Sequence, residues 1–303
     1  MKHADNAIKK VFKPAYIANC KAGIRDPEFT GYLESESGAI TGKDSLKGLN
    51  FVPDSRGKLK IWAKPNNPAP AEGKYISNRY CLYVDLGGTT DEADYSVVKV
   101  ADRYWQLLGG GPEIVCEWRG HIDIDQLAWT SAQIARWYEN GLLAVEVNAL
   151  YNKNNNTEGV HYLQVFEEIT EYYSNVFTRK SSDDVKERHT KFGYFMTASS
   201  KQQLIDSFRK SLRTKMFVER SLVTGAEIGH FIYDEDGKPN SVEGEHDDSL
   251  ISSMGVNWLA MDYMDPPKII ESIDMTQKAD ININLISTLL FFPTQRVGEL
   301  NHL

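Results

Sequence analysis

Cysteine is scarce in this chain. Of 303 residues only Cys20, Cys81 and Cys116 are cysteines, far apart and forming no CxxC pair. That argues against a disulfide framework or a cysteine-ligated zinc site, and for a reducing compartment. Long apolar runs are missing as well, since stretches such as "NLISTLLFF" are too short to span a bilayer. The opening "MKHADNAIKKVFK" holds no apolar signal core, so no secretory leader is expected and the location read from it is cytoplasmic. Positive charge is not in excess. The net charge of −8 means that the overall field does not attract nucleic acid, and local basic patches or bound metal would have to do so. A phosphate loop is lacking. "GAITGKDS" has the wrong spacing, no Ser or Thr follows Lys43, and GxxxxGK followed by Ser or Thr occurs nowhere.

What is present is an ordinary soluble composition, 41% hydrophobic and 25% charged, with length enough for a sizeable core. Residues 1–74 are rich in Gly, Pro, Asn and Lys and read as an extended arm or linker. From Tyr80 the pattern changes. "YCLYVDLGG" is an apolar strand ending in Asp85 and a glycine turn, and "YSVVKVAD" and "PEIVCEWRG" follow as two further strands. "DIDQLAWTSAQIARWYENG" has helical spacing, with Asp123 or Asp125 as cap and Gly141 as stop. "LLAVEVNAL" is a fourth strand, apolar on both faces, and "GVHYLQVFEEITEYY" and "KQQLIDSFRKSLRT" are helices. "GHFIYDEDGKP" reads as a strand entering a tight turn, before the acidic "EGEHDDSL" and an apolar helix. Three consecutive strands, then helix, strand, helix, a short strand at "NVFTR" and late helices, predict an α/β domain over 75–264. The expected fold is ribonuclease-H-like (retroviral integrase superfamily), a mixed five-stranded sheet with helices on both faces. Residues 265–303 form a tail.

The carboxylates fall at the ends of buried elements. Asp85 ends the first strand, Glu146 lies near the end of the fourth, and Asp247 and Asp248 open the late helix. With strands one and four as neighbours, Asp85 and Glu146 would lie side by side among apolar residues, where lone ionised carboxylates are costly. Each has a plainer reading: a turn cap, a salt-bridge partner, a solvated helix cap. A shared pair of Mg²⁺ or Mn²⁺ ions accounts for all of them at once and would suit in-line attack on a phosphodiester.

The segments "KLKIWAKP", "YVDLGGTTDEADYSVVKVADR", "LLAVEVNAL", "KQQLIDSFRKSL" and "FIYDEDGKPNSVEGEHDDSL" cover roughly residues 58–263. In that order the chain resembles the nuclease domain of a tailed-phage (or prophage) terminase large subunit. The resemblance implies metal-dependent endonucleolytic cutting of concatemeric double-stranded viral DNA during genome packaging, with two Mg²⁺ or Mn²⁺ ions. By position it makes Asp85 the first-strand metal ligand, Glu146 the second carboxylate and Asp248 or Asp247 the third, with Asp248 favoured and Asp247 auxiliary. Asp94, in "ADYSVV", matches an additional acid. It implies as partners the terminase ATPase domain, the small terminase subunit and the portal protein, the last through the tail, and the host cytoplasm as location. Two features depart from the family. "YNKNNNTEG" stands where glycines usually follow the second carboxylate, and the ATPase half with its phosphate loop is missing. The chain is therefore expected to be a C-terminal domain or separate fragment, with 1–74 as the connection to the motor.

Cations for a phosphate-tracking groove are offered by Lys201, Arg209, Lys210 and Arg213 on one helix and by Lys180 and Arg188 on a hairpin or loop. His246 and His230 could assist proton transfer or a metal. Rival readings are a Holliday-junction resolvase or ribonuclease H with the same site. "VDLGGTT" also resembles the first phosphate loop of actin-like-fold sugar kinases, but the second Asp-Gly loop and the adenosine loop are lacking.

Overall fold

The computed structural model describes residues 9–87, 94–148, 156–179 and 191–271. Its strands are β1 (Phe29–Glu34), β2 (Asn50–Pro53), β3 (Leu59–Ile61), β4 (Lys74–Ser77), β5 (Tyr80–Asp85), β6 (Ser96–Asp102) and β7 (Glu113–Gly120). They continue with β8 (Leu142–Val145), β9 (Thr178–Arg179), β10 (Lys191–Phe192), β11 (Phe231–Tyr233), β12 (Pro239–Ser241) and β13 (Lys268–Glu271). The helices are α1 (Pro14–Lys21), α2 (Ile124–Trp137), α3 (Asn156–Tyr172), α4 (Ala198–Thr214), α5 (Leu222–His230) and α6 (Asp248–Trp258).

Strands β5, β6 and β7 pair antiparallel in sequence order, and the α2 crossover returns the chain to β8, parallel to β5. Beyond β8, isolated parallel bridges Leu143–Val176 and Glu146–Tyr194 occupy the next strand position. This is the mixed sheet of the ribonuclease-H-like expectation. Strand alternation decides which face each residue serves. Tyr80, Leu82 and Val84 of β5 enter the core under α2 and α3, while Cys81 and Tyr83 enter the core under α1, α4, α5 and α6. Both faces are therefore apolar, which is why β5 reads as a continuous hydrophobic run rather than an alternating one. Helix α6 rides close on β5: a Cβ at Gly255 would lie 2.3 Å from Tyr83 Cγ.

The sheet is larger than the five strands expected. It has seven, in the order β2-β1-β3-β7-β6-β5-β8. Three of the seven come from the segment read as an extended arm. β3 pairs with β7 through Leu59–Trp118 and Ile61–Cys116, and β1 and β2 continue outward. Residues 9–74 also put Phe12, Cys20 and Trp62 in the core. These strands are three to six residues long and broken by Gly and Pro turns, so no local period announces them. They form because β7 offers an unpaired edge distant in sequence. The expected strand at "GHFIYDEDGKP" is shorter than read, since α5 runs through His230 and β11 begins at Phe231, forming a hairpin with β12. In the tail, β13 pairs with β4, and residues 272–303 lie outside the described residues. No helix among the described residues is long and apolar enough to cross a membrane.

Candidate active site

Asp85 is the last residue of β5 and continues the parity of Cys81 and Tyr83, so it faces the α4–α6 side. Glu146 follows β8 and shares the parity of Leu142 and Ala144, which face the same side. The backbone N–H of Glu146 donates to the Val84 carbonyl at 2.9 Å, which carries the parallel register one step past Val84–Val145 and sets Glu146 beside Asp85. Neighbouring strands lie about 4.8 Å apart, so the two carboxyls are close. Asp248 opens α6 over this end of the sheet and is 5% exposed. Its Oδ2 accepts the Tyr95 N–H at 3.1 Å. His246 Nδ1 lies 3.1 Å from Asp94 Oδ1 and 3.8 Å from Asp248 Oδ2. Asp247 lies 3.9 Å from the Lys201 ammonium.

The carboxyls affect one another. Burial, then Glu146, Asp248 and Asp247, hold the Asp85 carboxyl well above the ordinary range, with Lys201 opposing. Burial pushes Glu146 up to about 7, with Asp247 adding and Lys201 and the Tyr83 hydroxyl opposing. Asp248 is pushed up to about 6 by burial and by Asp94 and Asp247, against the Tyr95 N–H. Asp247 is raised by burial and Asp94, against Lys201. Three elements far apart in sequence thus bring four acids together, with one lysine reaching in among them.

All four acids named from the sequence are brought to one cleft, and Asp94 stands at its rim. The cleft suits a hard divalent cation. Its donors are carboxylate oxygens and one imidazole nitrogen, and ligand atoms of Asp94, His246 and Asp248 lie within 4.8 Å of one another. The 3.1 Å between His246 Nδ1 and Asp94 Oδ1 is a hydrogen bond, and it is also close to the spacing of adjacent ligands around a cation bound at about 2.1 Å, while the 3.8 Å to Asp248 is wider than that spacing. Burial first, and crowded negative charge after it, raise these pKa values, and a bound cation would relieve both.

The four described cations named for a DNA groove do not lie on one surface. Lys201 sits in the acidic cleft. Arg209 is held by the Val11 carbonyl, the Tyr233 hydroxyl and Asp206, so its guanidinium is a tie between α4 and the N-terminal segment. Lys210 and Arg213 are exposed and line a groove of about 470 Å³ with Lys10 and Lys13. At about 100° per residue, Lys210 projects from the side of α4 opposite Lys201. Lys180 and Arg188 lie outside the described residues. β9 and β10, which flank that stretch, do pair antiparallel.

Sequence reasoning missed a wall beside the cleft. The Arg119 guanidinium lies 3.3 Å from the centroid of the Tyr95 ring, and the His121 ring packs 4.2 Å from the same ring. Arg119 and His121 straddle the end of β7, the third strand, and no local signal links them to Tyr95. Also missed were the buried groups under α6, Lys99, Glu117, Glu219 and Glu227. In sequence they are charges scattered over two strands, a loop and a helix.

The sequence matches no protein-family model, and no curated protein is significantly similar to it. Among solved structures, the chain is similar to the large terminase nuclease from thermophilic phage G20c, at 13% identity, covering 83% of this chain and 98% of that one, with a TM-score of 0.47. The same nuclease with bound magnesium aligns at 15% identity over 83% and 97%, TM-score 0.47. The human cytomegalovirus terminase nuclease domain aligns at 14% identity over 67% and 91%, TM-score 0.43. At such identities and TM-scores the likeness assigns no activity to this chain.

Proposed function

We propose that this chain is a metal-dependent endodeoxyribonuclease that cuts double-stranded, concatemeric viral DNA, acting as the nuclease part of a terminase large subunit. The observation that carries this reading is the convergence of Asp85, Glu146 and Asp248, from two parallel strands and a helix start, on one cleft where each is raised by burial and by other acids. Two Mg²⁺ or Mn²⁺ ions, when bound, would activate a water and stabilise the leaving oxygen of a phosphodiester. Asp85, with Glu146 on one side and the α6 acids on the other, would be one of the residues that hold these ions. Glu146 and Asp248, with Asp94 and His246, would supply the remaining carboxylate and imidazole ligands. Lys201, 3.9 Å from Asp247, would meet the negative charge of a scissile phosphate. The Arg119–Tyr95 stack, beside Asp248, would guide the backbone approaching the cleft. Phosphate contacts of this kind predict weak sequence preference.

The partners that follow from this reading are duplex DNA, the packaging ATPase, the small terminase subunit and the portal. The test is cleavage of supercoiled plasmid. Nicking and linearisation are expected with Mn²⁺ or Mg²⁺, lost with EDTA and lost in Asp85→Asn and Glu146→Gln. Cleavage that survives both substitutions would remove the assignment. Preference for a four-way junction or an RNA–DNA hybrid over plasmid would move it to the resolvase or ribonuclease H reading.

A further inference from the structure

Asp247 stands at the N-cap position of α6, where an aspartate ordinarily accepts a backbone N–H from the helix's own first turn. It does not do so here. Its side chain makes no cap hydrogen bond, and its backbone, at φ −133° and ψ 7°, is outside the extended conformation that N-cap residues usually take. The third residue of the helix, Leu250, still needs an acceptor for its buried N–H. Glu227, from α5, supplies it: Leu250 N–H donates to Glu227 Oε2 at 2.7 Å.

The same turn is gripped from below by a second set of groups. Ser249 Oγ donates to Glu117 Oε2 at 2.7 Å. Glu117 is fully buried and pairs with Lys99 at 3.2 Å. Lys99 also reaches Glu219 and the Ser253 hydroxyl, one turn further along α6. The charges beneath α6 therefore fix its rotation and height on β6 and β7, and Glu227 closes its first turn.

We propose that Glu227 is a positioning residue that caps α6 in place of Asp247 and so leaves Asp247 and Asp248 free to face the acidic cleft. A helix that capped itself would draw the Asp247 carboxylate back onto its own first turn and away from Lys201 and Glu146. The inference rests on the reading of the cleft as a cation site only for its consequence, not for the cap itself.

The test is a double-mutant cycle of Glu227→Ala and Asp247→Ala, read by the Tm of the metal-free protein and by Mn²⁺ affinity in titration calorimetry. In the unmodified protein Asp247→Ala is expected to leave Tm unchanged or raise it, because it removes an acid from a crowded cleft. In the Glu227→Ala background the same change should lower Tm, because Asp247 has become the cap. Glu227→Ala should bring a loss of Mn²⁺ affinity, because the turn that carries Asp247 and Asp248 loses its cap. Glu227→Gln, whose amide carbonyl can still accept from Leu250, should retain affinity. Should Glu227→Ala not fold, Glu227→Asp, one methylene shorter, withdraws the acceptor while keeping a carboxyl, and the same change of sign is expected. An Asp247→Ala effect on Tm of the same sign and size in both backgrounds would overturn the proposal. If the unmodified protein binds no Mn²⁺, the cation reading fails, while the thermal cycle still decides the cap.

Discussion

Asp85 lies between Glu146 and the two α6 acids, and its ionisation is opposed by all of them and by burial. The sign of the consequence for stability is fixed. A carboxyl whose folded pKa lies above its unfolded value contributes stability that is complete at low pH and is lost as pH rises through the folded value. Glu146 reaches about 7 and Asp248 about 6. The metal-free protein should therefore lose these groups' contribution between the ordinary carboxylate range and about pH 7, and thermal melts across that window check it. Asp85→Asn should raise the metal-free Tm at neutral pH while abolishing cleavage by more than roughly a hundredfold, since even outer-shell changes cost that much. Divalent cations must displace the protons these acids hold, so Mn²⁺ affinity should rise with pH and binding should release protons, seen as buffer-dependent heats in calorimetry. Lys201 opposes protonation of Glu146. Lys201→Met should move the acid limb of the cleavage–pH profile to higher pH.

Helix α6 connects the sheet to the cleft, and its seat on β5 depends on Gly255. A methyl there would fall within 2.3 Å of the Tyr83 ring, so Gly255→Ala should cost about 1–3 kcal/mol by overpacking and lift Asp248 from its place. Urea melts and Mn²⁺ titration read both effects. Gly229→Ala, with nothing within 4 Å of the added methyl, is the matched control. The elements that build the cleft were legible because β5 and β8 are continuous apolar runs ended by a single acid, and because "EGEHDD" crowds acids ahead of an apolar helix. What could not be read is what those elements rest on. Glu227, Lys99 and Glu117 come together from α5, β6 and β7, and their pairing is a product of tertiary contact alone. Lys201 is similar. Its helix was plain, but its face toward Asp247 depends on how α4 lies beside α6.

At the scale of the whole molecule, the surprise is the N-terminal segment. Phe12 is fully buried against Phe208 and Phe231, and Trp62 donates its indole N–H to the Arg25 carbonyl. A chain beginning at Tyr75 would lose β1, β2 and β3, expose the β7 edge and open both cores. It should fail to give a cooperative melt by circular dichroism, where a detachable arm would leave the melt unchanged. The segment's short strands escaped the sequence reading because each is stabilised by its neighbour in the sheet and not by its own pattern. The measurement that tests the central claim most directly is anomalous diffraction from crystals soaked in Mn²⁺. Peaks bounded by Asp85, Glu146 and Asp248, absent in Asp85→Asn, are the predicted result. A saturating soak that leaves this cleft without a peak, or that places Mn²⁺ only elsewhere, would contradict the account.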